Sequence, residues 1–187
     1  MSKKLYFFIY TLSIMKSITM CENYNINSDG MIRILTSQNY YDYLTSVTDE
    51  LNSSKIIFLK EDNNFIYMKL SNNLNLDLPD FLKIFSSFNK SQVIESYKIN
   101  KKSKIITINI TSDILTKGNC QCECLLTLND INTNKTSTVF TLSCDCKLPL
   151  IAKNVEDAIC TQTFEKNKIK IKNIAKYINS LEKKIDF

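Results

Sequence analysis

The sequence predicts an α+β fold in which an antiparallel sheet is covered by one long C-terminal helix. Between residues 55 and 150, six short runs alternate apolar and polar residues and are separated by polar turns, as half-buried strands do. From Asn154 to about Ile185 the apolar residues recur every three or four positions, which is typical of an amphipathic helix. Because a sheet must bury one face, we expect this helix to cover it.

The composition limits the number of domains and the kinds of chemistry. The chain has 187 residues, of which 44% are hydrophobic and 23% charged, and this balance indicates one globular domain. It contains no histidine, which excludes catalytic triads and imidazole ligands for metals. The net charge of +5 comes almost entirely from lysine, since Arg33 is the single arginine. No basic patch with interleaved aromatic residues occurs, so no nucleic-acid partner is predicted.

The N-terminus resembles a secretory leader. Lys3 and Lys4 precede an apolar run over residues 5–15, and Ser17-Ile18-Thr19 could then serve as a cleavage site, which is the layout of a cleavable signal. Lys16 follows the run closely and weighs against this interpretation. The alternatives are an N-terminal extension, or a later start at Met15, Met20 or Met31.

The predicted organisation follows from that reading. We expect a signal peptide or N-terminal extension over 1–19, a polar linker over 20–30 and the folded domain over 31–187. A leader favours the secretory pathway, and without one the chain would be cytoplasmic. We expect the protein to be a monomer.

The individual elements are predicted in chain order. Ile32 and Ile34 alternate with polar or larger neighbours and predict a first strand over 31–38. Ser37 is a suitable N-cap for a helix over 38–51. Two strands at 55–61 and 64–71 are joined by a tight turn, and Pro79 suggests either a short amphipathic helix or an irregular apolar loop within 76–88. Four strands and the long helix complete the chain: 91–100, 102–115, 118–129, 136–150 and 154–185.

Five of the seven cysteines occupy alternate positions in two neighbouring strands. Cys120, Cys122 and Cys124 share one face of their strand, and Cys144 and Cys146 share one face of the next. A hairpin with its turn near 131–133 places Cys120 about opposite Cys144. Leucines and Phe140 lie on these same faces, so the cysteine face is predicted to be the apolar one.

Three interpretations of this cysteine face remain open. The thiols can be small apolar residues of the core, as buried cysteines often are. They can pair as disulfides in an oxidising compartment, or they can bind a soft metal such as zinc or Cu(I). For a metal, alternate strand positions are rather far apart, and the candidate ligands would be Cys120, Cys122, Cys124, Cys144 and Cys146. A nucleophilic cysteine is disfavoured, because no histidine can activate it. We predict no metal and no other cofactor.

The order of elements resembles that of the START-like, or Bet v 1-like, superfamily. The run from Leu148 to Glu156 (LPLIAKNVE) is similar to a Pro-Leu-Val-Gly-Gly-Lys-Ile-Glu-like turn in an uncharacterised bacterial branch, and Leu78–Leu82 resembles its Leu-Pro segment. Both glycines of that turn are absent, with Ile151 and Ala152 in this region of the chain. The resemblance covers about residues 31–185 and implies a helix-grip fold, a curved antiparallel sheet wrapped around the C-terminal helix.

The resemblance also implies a function. Proteins of this fold hold an apolar ligand between the sheet and the helix, so we expect binding, and possible transfer, of a lipid or another hydrophobic small molecule. The alternatives are a non-catalytic interaction module with a collapsed cavity and a cysteine-based metal or redox protein. No enzymatic activity is predicted. The expected ligand-lining residues are Ile106, Ile108, Leu126, Leu128, Phe140, Leu142, Cys144, Cys146, Ile171, Ile174 and Ile178.

Charged residues offer two further functional hypotheses. Glu95, Asp113 and Asp145 lie on the later strands, where a carboxylate facing the cavity could act as an acid or base. Solvated strand charges are the simpler interpretation, although Glu95 is equally compatible with either face. The lysines of the terminal helix can make a transient contact with an anionic membrane: Lys166, Lys168, Lys170, Lys172, Lys176, Lys183 and Lys184.

Overall fold

A computed structural model describes residues 16–75, 90–112, 120–147 and 152–182, and in this part of the chain seven strands form one antiparallel sheet. The strands are β1 (Lys16–Tyr24), β2 (Leu51–Glu61), β3 (Phe65–Asn75), β4 (Lys90–Asn100), β5 (Ile105–Ser112), β6 (Cys120–Asn132) and β7 (Lys135–Cys146). Their order across the sheet is β1-β7-β6-β5-β4-β3-β2. The helices are α1 (Ser28–Leu35), α2 (Gln38–Val47) and α3 (Ala152–Glu182).

The N-terminal part of the fold differs from the prediction. The linker predicted over 20–30 is wrong, because Lys16–Tyr24 form an edge strand along β7 and Ser28 begins a helix. The strand predicted over 31–38 is also wrong, because residues 28–35 are helical. The Asn27 side chain caps α1 by accepting a hydrogen bond from the backbone N–H of Gly30 at 2.8 Å. The folded region therefore begins at least as early as residue 16. Residues 1–15 lie outside the described residues, and the leader stays a prediction.

The remaining elements confirm the sequence-based prediction. The predicted helix over 38–51 corresponds to α2, six predicted strands correspond to β2–β7, and the long terminal helix corresponds to α3. The turn between β2 and β3 is held by the carboxylate of Asp62, which accepts from the backbone N–H groups of Asn64 and Phe65. Lys104, with φ 58°, closes the connection between β4 and β5. The Leu-Pro segment, the predicted short helix and the turn before α3 lie outside the described residues.

The core lies between one face of the sheet and the helices. Alternate residues of β3–β7 are buried on this face, as the period of two in a strand requires. Helix α2 closes one end of the core with Tyr40, Tyr41 and Leu44. Helix α3 contributes Cys160 and Ile178 to the same core. The sheet and the long helix are thus the two layers between which a functional site can form.

Candidate functional site

The apolar wall of the candidate site is the inner face of β5, β6 and β7. Cross-strand neighbours there are Ile108 and Cys124, Cys124 and Leu142, and Leu126 and Phe140. Every sheet residue predicted to line a ligand lies on this inner face: Ile106, Ile108, Leu126, Leu128, Phe140, Leu142, Cys144 and Cys146.

These wall residues differ in how closely they are packed. Ile106 and Cys144 are 0% exposed, so their surfaces are covered by protein on all sides. Leu126 and Phe140 are only half-buried. Because close-packed interiors leave no room beside a fully covered side chain, Leu126 and Phe140 are the wall residues best placed to contact another molecule.

Helix α3 crosses the sheet from β7 towards α2. Near its start, the buried carboxylate of Glu156 accepts a hydrogen bond from the backbone N–H of Cys146 at 2.9 Å. Further along, Asn173 donates to the hydroxyl of Thr48 at 3.4 Å, and the ring of Tyr177 lies 5.4 Å from that of Tyr40. Of the helix residues predicted to line a ligand, Ile178 is buried and Ile174 is half-buried, while the side chain of Ile171 lies outside the described ones.

A polar cluster interrupts the apolar wall at β3 and β4. The carboxylate of Glu95, only 8% exposed, accepts hydrogen bonds from Asn72 at 2.9 Å and from the hydroxyl of Tyr97. The ammonium of Lys170 lies 3.3 Å from the same carboxylate and links α3 to β4. Ser54 extends the cluster to β2 by donating to the amide oxygen of Asn72 at 2.6 Å. We call Ser54, Asn72, Glu95, Tyr97 and Lys170 the Glu95 cluster.

The Glu95 cluster keeps its tyrosine neutral. Burial, together with the nearby carboxylate of Glu95, holds the pKa of Tyr97 well above its usual range. Burial likewise raises the pKa of Tyr41, whose hydroxyl donates to the carbonyl of Leu35 at 2.7 Å. At neutral pH both hydroxyls are therefore hydrogen-bond donors and not bases.

The positions of two charged residues, Glu95 and Lys170, were not predicted from the sequence. Glu95 faces inward, which settles the ambiguity of its strand. Lys170 was predicted to contact an anionic membrane together with the other lysines of the terminal helix, and its ammonium pairs with Glu95. The alternation of residues in β4 could have predicted the position of Glu95. Val93, Tyr97 and Ile99 lie on the same face of the strand as Glu95 and make that face mainly apolar.

The cysteines form opposed pairs across β6 and β7. Cys120 lies opposite Cys146, and Cys122 lies opposite Cys144, so the predicted pairing of Cys120 with Cys144 is wrong by two residues. The sulfurs are 2.7 Å apart in the first pair and 3.1 Å apart in the second. All four side chains are buried, as the apolar interpretation of this face predicted.

The thiol cluster extends to helix α3. Cys160 lies on α3, away in sequence from the two cysteine-bearing strands, and its thiol is a hydrogen-bonding partner of Cys144. Burial raises the pKa of Cys124 to about 12, and desolvation also raises the pKa of Cys120. These thiols are therefore protonated at neutral pH. Within the described parts of the chain, no group of three or more Cys, Asp or Glu side chains is arranged to hold a metal ion.

An open groove lies where α2 meets the edge strand β2. It has a volume of about 670 Å³, and Ser54 connects it to the Glu95 cluster. Its lining consists of Thr36, Gln38, Asp42, Ser53, Ser54, Lys55, Ile56 and Leu59. Separately, no helix among the described residues is long and apolar enough to cross a membrane.

Solved structures of other proteins share this architecture, although no sequence match is found. No family model matches the sequence, and no curated protein matches it. Norcoclaurine synthase from Thalictrum flavum, solved with dopamine and hydroxybenzaldehyde, superposes with a TM-score of 0.62 at 12% identity, covering 96% of this chain and 98% of that one. A START superfamily protein from Mycobacterium smegmatis gives 0.57 at 10% identity, over 88% and 98% of the two chains. The Zhui aromatase/cyclase from Streptomyces sp. R1128 gives 0.55 at 9% identity, over 86% and 90%.

These similarities extend over almost the whole of each compared chain, and their low sequence identity limits them to the fold. The matching solved structures include an aromatase/cyclase and a norcoclaurine synthase as well as Ara h 8.0201. The antiparallel sheet and the long C-terminal helix agree with that architecture. The chain therefore has the helix-grip α+β fold of the START-like, Bet v 1-like superfamily.

Proposed function

We propose that the protein binds a hydrophobic small molecule or lipid between the inner face of the sheet and helix α3. The observation that carries the proposal is a buried polar cluster set into an otherwise apolar wall. Ligand sites in proteins combine an apolar lining with a few polar groups that orient the ligand. The Glu95 cluster supplies such groups, and the half-buried Leu126 and Phe140 supply apolar contact area.

Lys170 is the member of the cluster best suited to meet a ligand. Its side chain is 38% exposed, whereas Glu95 and Tyr97 are buried and occupied by each other. A carbonyl, hydroxyl or carboxylate of the ligand would replace water at this ammonium. Burial of the ligand's apolar part would contribute about 25 cal/mol for each Å² removed from water.

We propose binding without catalysis. The Glu95 carboxylate already accepts hydrogen bonds from three donors, namely Asn72, Tyr97 and Lys170. Tyr97 stays protonated at neutral pH, because burial raises its pKa. The cluster is therefore suited to holding a polar group in place, and no additional cofactor is required for that role.

Two variants of neighbouring leucines test the site. Leu126 lies on the inner face, and Leu125 points to the opposite face with 42% exposure. The protein purified without detergent is examined by native mass spectrometry, by solvent extraction and with the dye anilinonaphthalene sulfonate. We expect a co-purifying apolar molecule or saturable dye binding, lost in Leu126→Arg and retained in Leu125→Arg. Circular dichroism must show that both variants are folded.

A non-catalytic interaction module with a collapsed cavity is the second candidate. The complete burial of Ile106 and Cys144 favours it, because these parts of the wall are filled by protein. It predicts no co-purifying molecule and no dye binding by the native protein. That result would exclude the ligand-binding proposal and leave the fold as an interaction scaffold.

Transfer of the ligand would require contact with a membrane. Lys172 and Lys176 lie exposed on α3 and carry positive charge towards solvent. We propose a weak, transient contact with anionic lipid, since each lysine near such a surface contributes about 1 kcal/mol. Co-sedimentation with phosphatidylserine vesicles should exceed that with phosphatidylcholine vesicles and should decrease in Lys172→Gln/Lys176→Gln. Equal sedimentation with both vesicle types would exclude this contact.

A further inference from the structure

We propose that Cys120–Cys146 and Cys122–Cys144 are two disulfide-forming pairs that lie side by side between β6 and β7. Each pair consists of residues directly opposite one another in antiparallel strands. Opposed residues in such strands have Cα separations of about 4.5 or 5.5 Å, and both values fall within the range that a disulfide spans. The backbone geometry is therefore compatible with both bonds.

The positions of the thiols support the same pairs. The sulfurs of Cys120 and Cys146 are 2.7 Å apart, and those of Cys122 and Cys144 are 3.1 Å apart. A disulfide bond is about 2.05 Å long, so each pair needs only a small approach of two side chains. All four thiols are on the inner face of the sheet, so neither bond requires a strand to turn over.

A metal site fits these observations less well. A tetrahedral metal binds four thiolates at about 2.3 Å, so its ligands must surround the ion, whereas these sulfurs approach each other directly in twos. Burial raises the pKa of Cys120 and Cys124, which works against the thiolate that a metal requires. A disulfide is uncharged and apolar, and it therefore suits this buried face.

The chemistry requires an external oxidant, for which we name a low-molecular-weight disulfide of the glutathione type. One cysteine of a pair attacks the oxidant as a thiolate, forms a mixed disulfide and releases one glutathione thiol. The second cysteine then displaces the second glutathione. Each cysteine pair loses two electrons and two hydrogens, which appear in the two glutathione thiols. Because the native thiols are buried, we place this step during folding, before α3 covers the strands.

Formation of these two bonds depends on the compartment in which the chain folds. Disulfides form in oxidising compartments and are rare in the cytosol. In an oxidising compartment the two bonds would fix the β6–β7 hairpin covalently, and in a reducing one the same residues would remain small core side chains. One sequence can thus satisfy this packing in both redox states.

The experiment uses the full chain with Cys21→Ser, which removes the one exposed thiol. The reduced protein is unfolded in urea, refolded in a mixture of oxidised and reduced glutathione, alkylated under denaturing conditions and weighed. Of seven cysteines, one is substituted and four should be paired, which leaves two, Cys124 and Cys160, open to alkylation. Before alkylation the mass should be about 4 Da below that of the reduced chain, since each disulfide removes two hydrogens.

Matched double variants test which cysteines pair. Cys120→Ser/Cys146→Ser and Cys122→Ser/Cys144→Ser each retain one opposed pair and should each lose two alkylation sites on oxidation. Cys120→Ser/Cys144→Ser retains Cys122 and Cys146, which are not opposed, and should lose none. Circular dichroism of the reduced variants verifies that each is folded.

Three outcomes would overturn the proposal. In the first, all remaining cysteines are alkylated after refolding with oxidised glutathione. In the second, peptide mapping finds Cys144 bonded to Cys160, its neighbour on α3. In the third, stoichiometric zinc or Cu(I) binds the reduced chain and is lost equally in all three double variants. Formation of the two opposed bonds, with none in the crossed variant, supports it.

Discussion

Lys170 of helix α3 donates to the carboxylate of Glu95 in strand β4 across 3.3 Å, so one ion pair joins the two layers of the fold. The two partners contribute unequally to this arrangement. Glu95 also accepts from Asn72 and Tyr97, whereas Lys170 is partly exposed and retains access to water.

We expect the two partners to respond differently to substitution. Glu95→Leu leaves the buried hydroxyl of Tyr97 and the amide of Asn72 without their acceptor and should lower the free energy of unfolding by about 3 kcal/mol. Lys170→Met leaves Glu95 with two donors and should cost about 1 kcal/mol. Urea unfolding at pH 7 measures both. As a control, substitution of an exposed neighbour in Lys172→Met should change the free energy of unfolding by less than about 0.5 kcal/mol. Equal decreases in this free energy for the Glu95 and Lys170 variants would contradict the expected asymmetry.

The buried thiols should make the reduced protein labile to alkali. Burial, assisted by the charge of Glu95, raises the pKa of Cys124 from 9.0 to about 12. The folded thiol therefore keeps its proton while the unfolded one loses it, so its stabilising contribution is complete below pH 9 and is lost as the pH rises towards 12.

Cys124→Ala should remove this contribution. Between pH 9 and pH 12, the unfolding free energy of the variant should fall less steeply than that of the wild type, by up to about 1.4 kcal/mol for each pH unit. Chemical denaturation with reductant at a series of pH values measures the slope. Cys21→Ala serves as the control, because it removes an exposed cysteine and leaves the buried thiols in place. Identical slopes for Cys124→Ala and wild type would refute the prediction.

Gly30 of helix α1 should resist substitution for reasons of space. A Cβ atom there would lie 2.5 Å from Cγ1 and 2.6 Å from Cδ1 of Ile26. Although alanine favours a helix over glycine by about 1 kcal/mol, we expect Gly30→Ala to lower the free energy of unfolding by about 1–2 kcal/mol through overpacking.

A double-mutant cycle separates these two effects. In an Ile26→Ala background the obstructing atoms are absent, and Gly30→Ala should become neutral or stabilising by up to about 1 kcal/mol. Thermal and urea unfolding of the four proteins provide the cycle. If Gly30→Ala is equally destabilising in both backgrounds, contact with Ile26 is not the cause.

The N-terminal strand permits a test of where the domain begins. A chain that starts at Met20 lacks residues 16–19, which pair with β7, among them Ile18 opposite Leu142. We expect it to be less stable than a chain that starts at Met15 by about 2 kcal/mol or more, since it loses both apolar burial and strand pairing. Equal urea midpoints for the two chains would show that the start of β1 contributes nothing. The same loss would follow cleavage of a leader after Thr19.

The sequence predicted the long elements better than the short ones. Strands of eight residues or more and a 31-residue helix have enough periods to distinguish two from 3.6. Helix α1 has eight residues, and its Ile32 and Ile34 alternate as they would in a strand. Met31 and Leu35 add to the apolar side of the helix. Over only two turns, however, the apolar positions fit a strand period of 2 about as well as a helix period of 3.6. Strand β1 was missed because its first residues follow an apolar run that resembles a leader.

The candidate site was predicted in its apolar part and missed in its polar part. Parity within β6 and β7 was sufficient to place all five cysteines on the inner face. Their pairing was wrong because a shift of the turn by one residue changes every cross-strand partner by two. The contact of Lys170 with Glu95 joins residues 75 positions apart, and no local pattern in the sequence encodes which side of the helix meets which strand.

Gln38 has a consequence for how this sheet ends. Its side-chain amide donates to the carbonyl of Ser54 at 2.9 Å and accepts from the N–H of Ile56 at 2.8 Å. These are the two bonds that the peptide group of an eighth strand would make with β2. An exposed sheet edge has unpaired backbone N–H and C=O groups with which another chain can pair and aggregate. Here the side-chain amide of Gln38 occupies two of these groups. A single side chain of α2 therefore protects this part of the edge against the addition of a strand from another molecule.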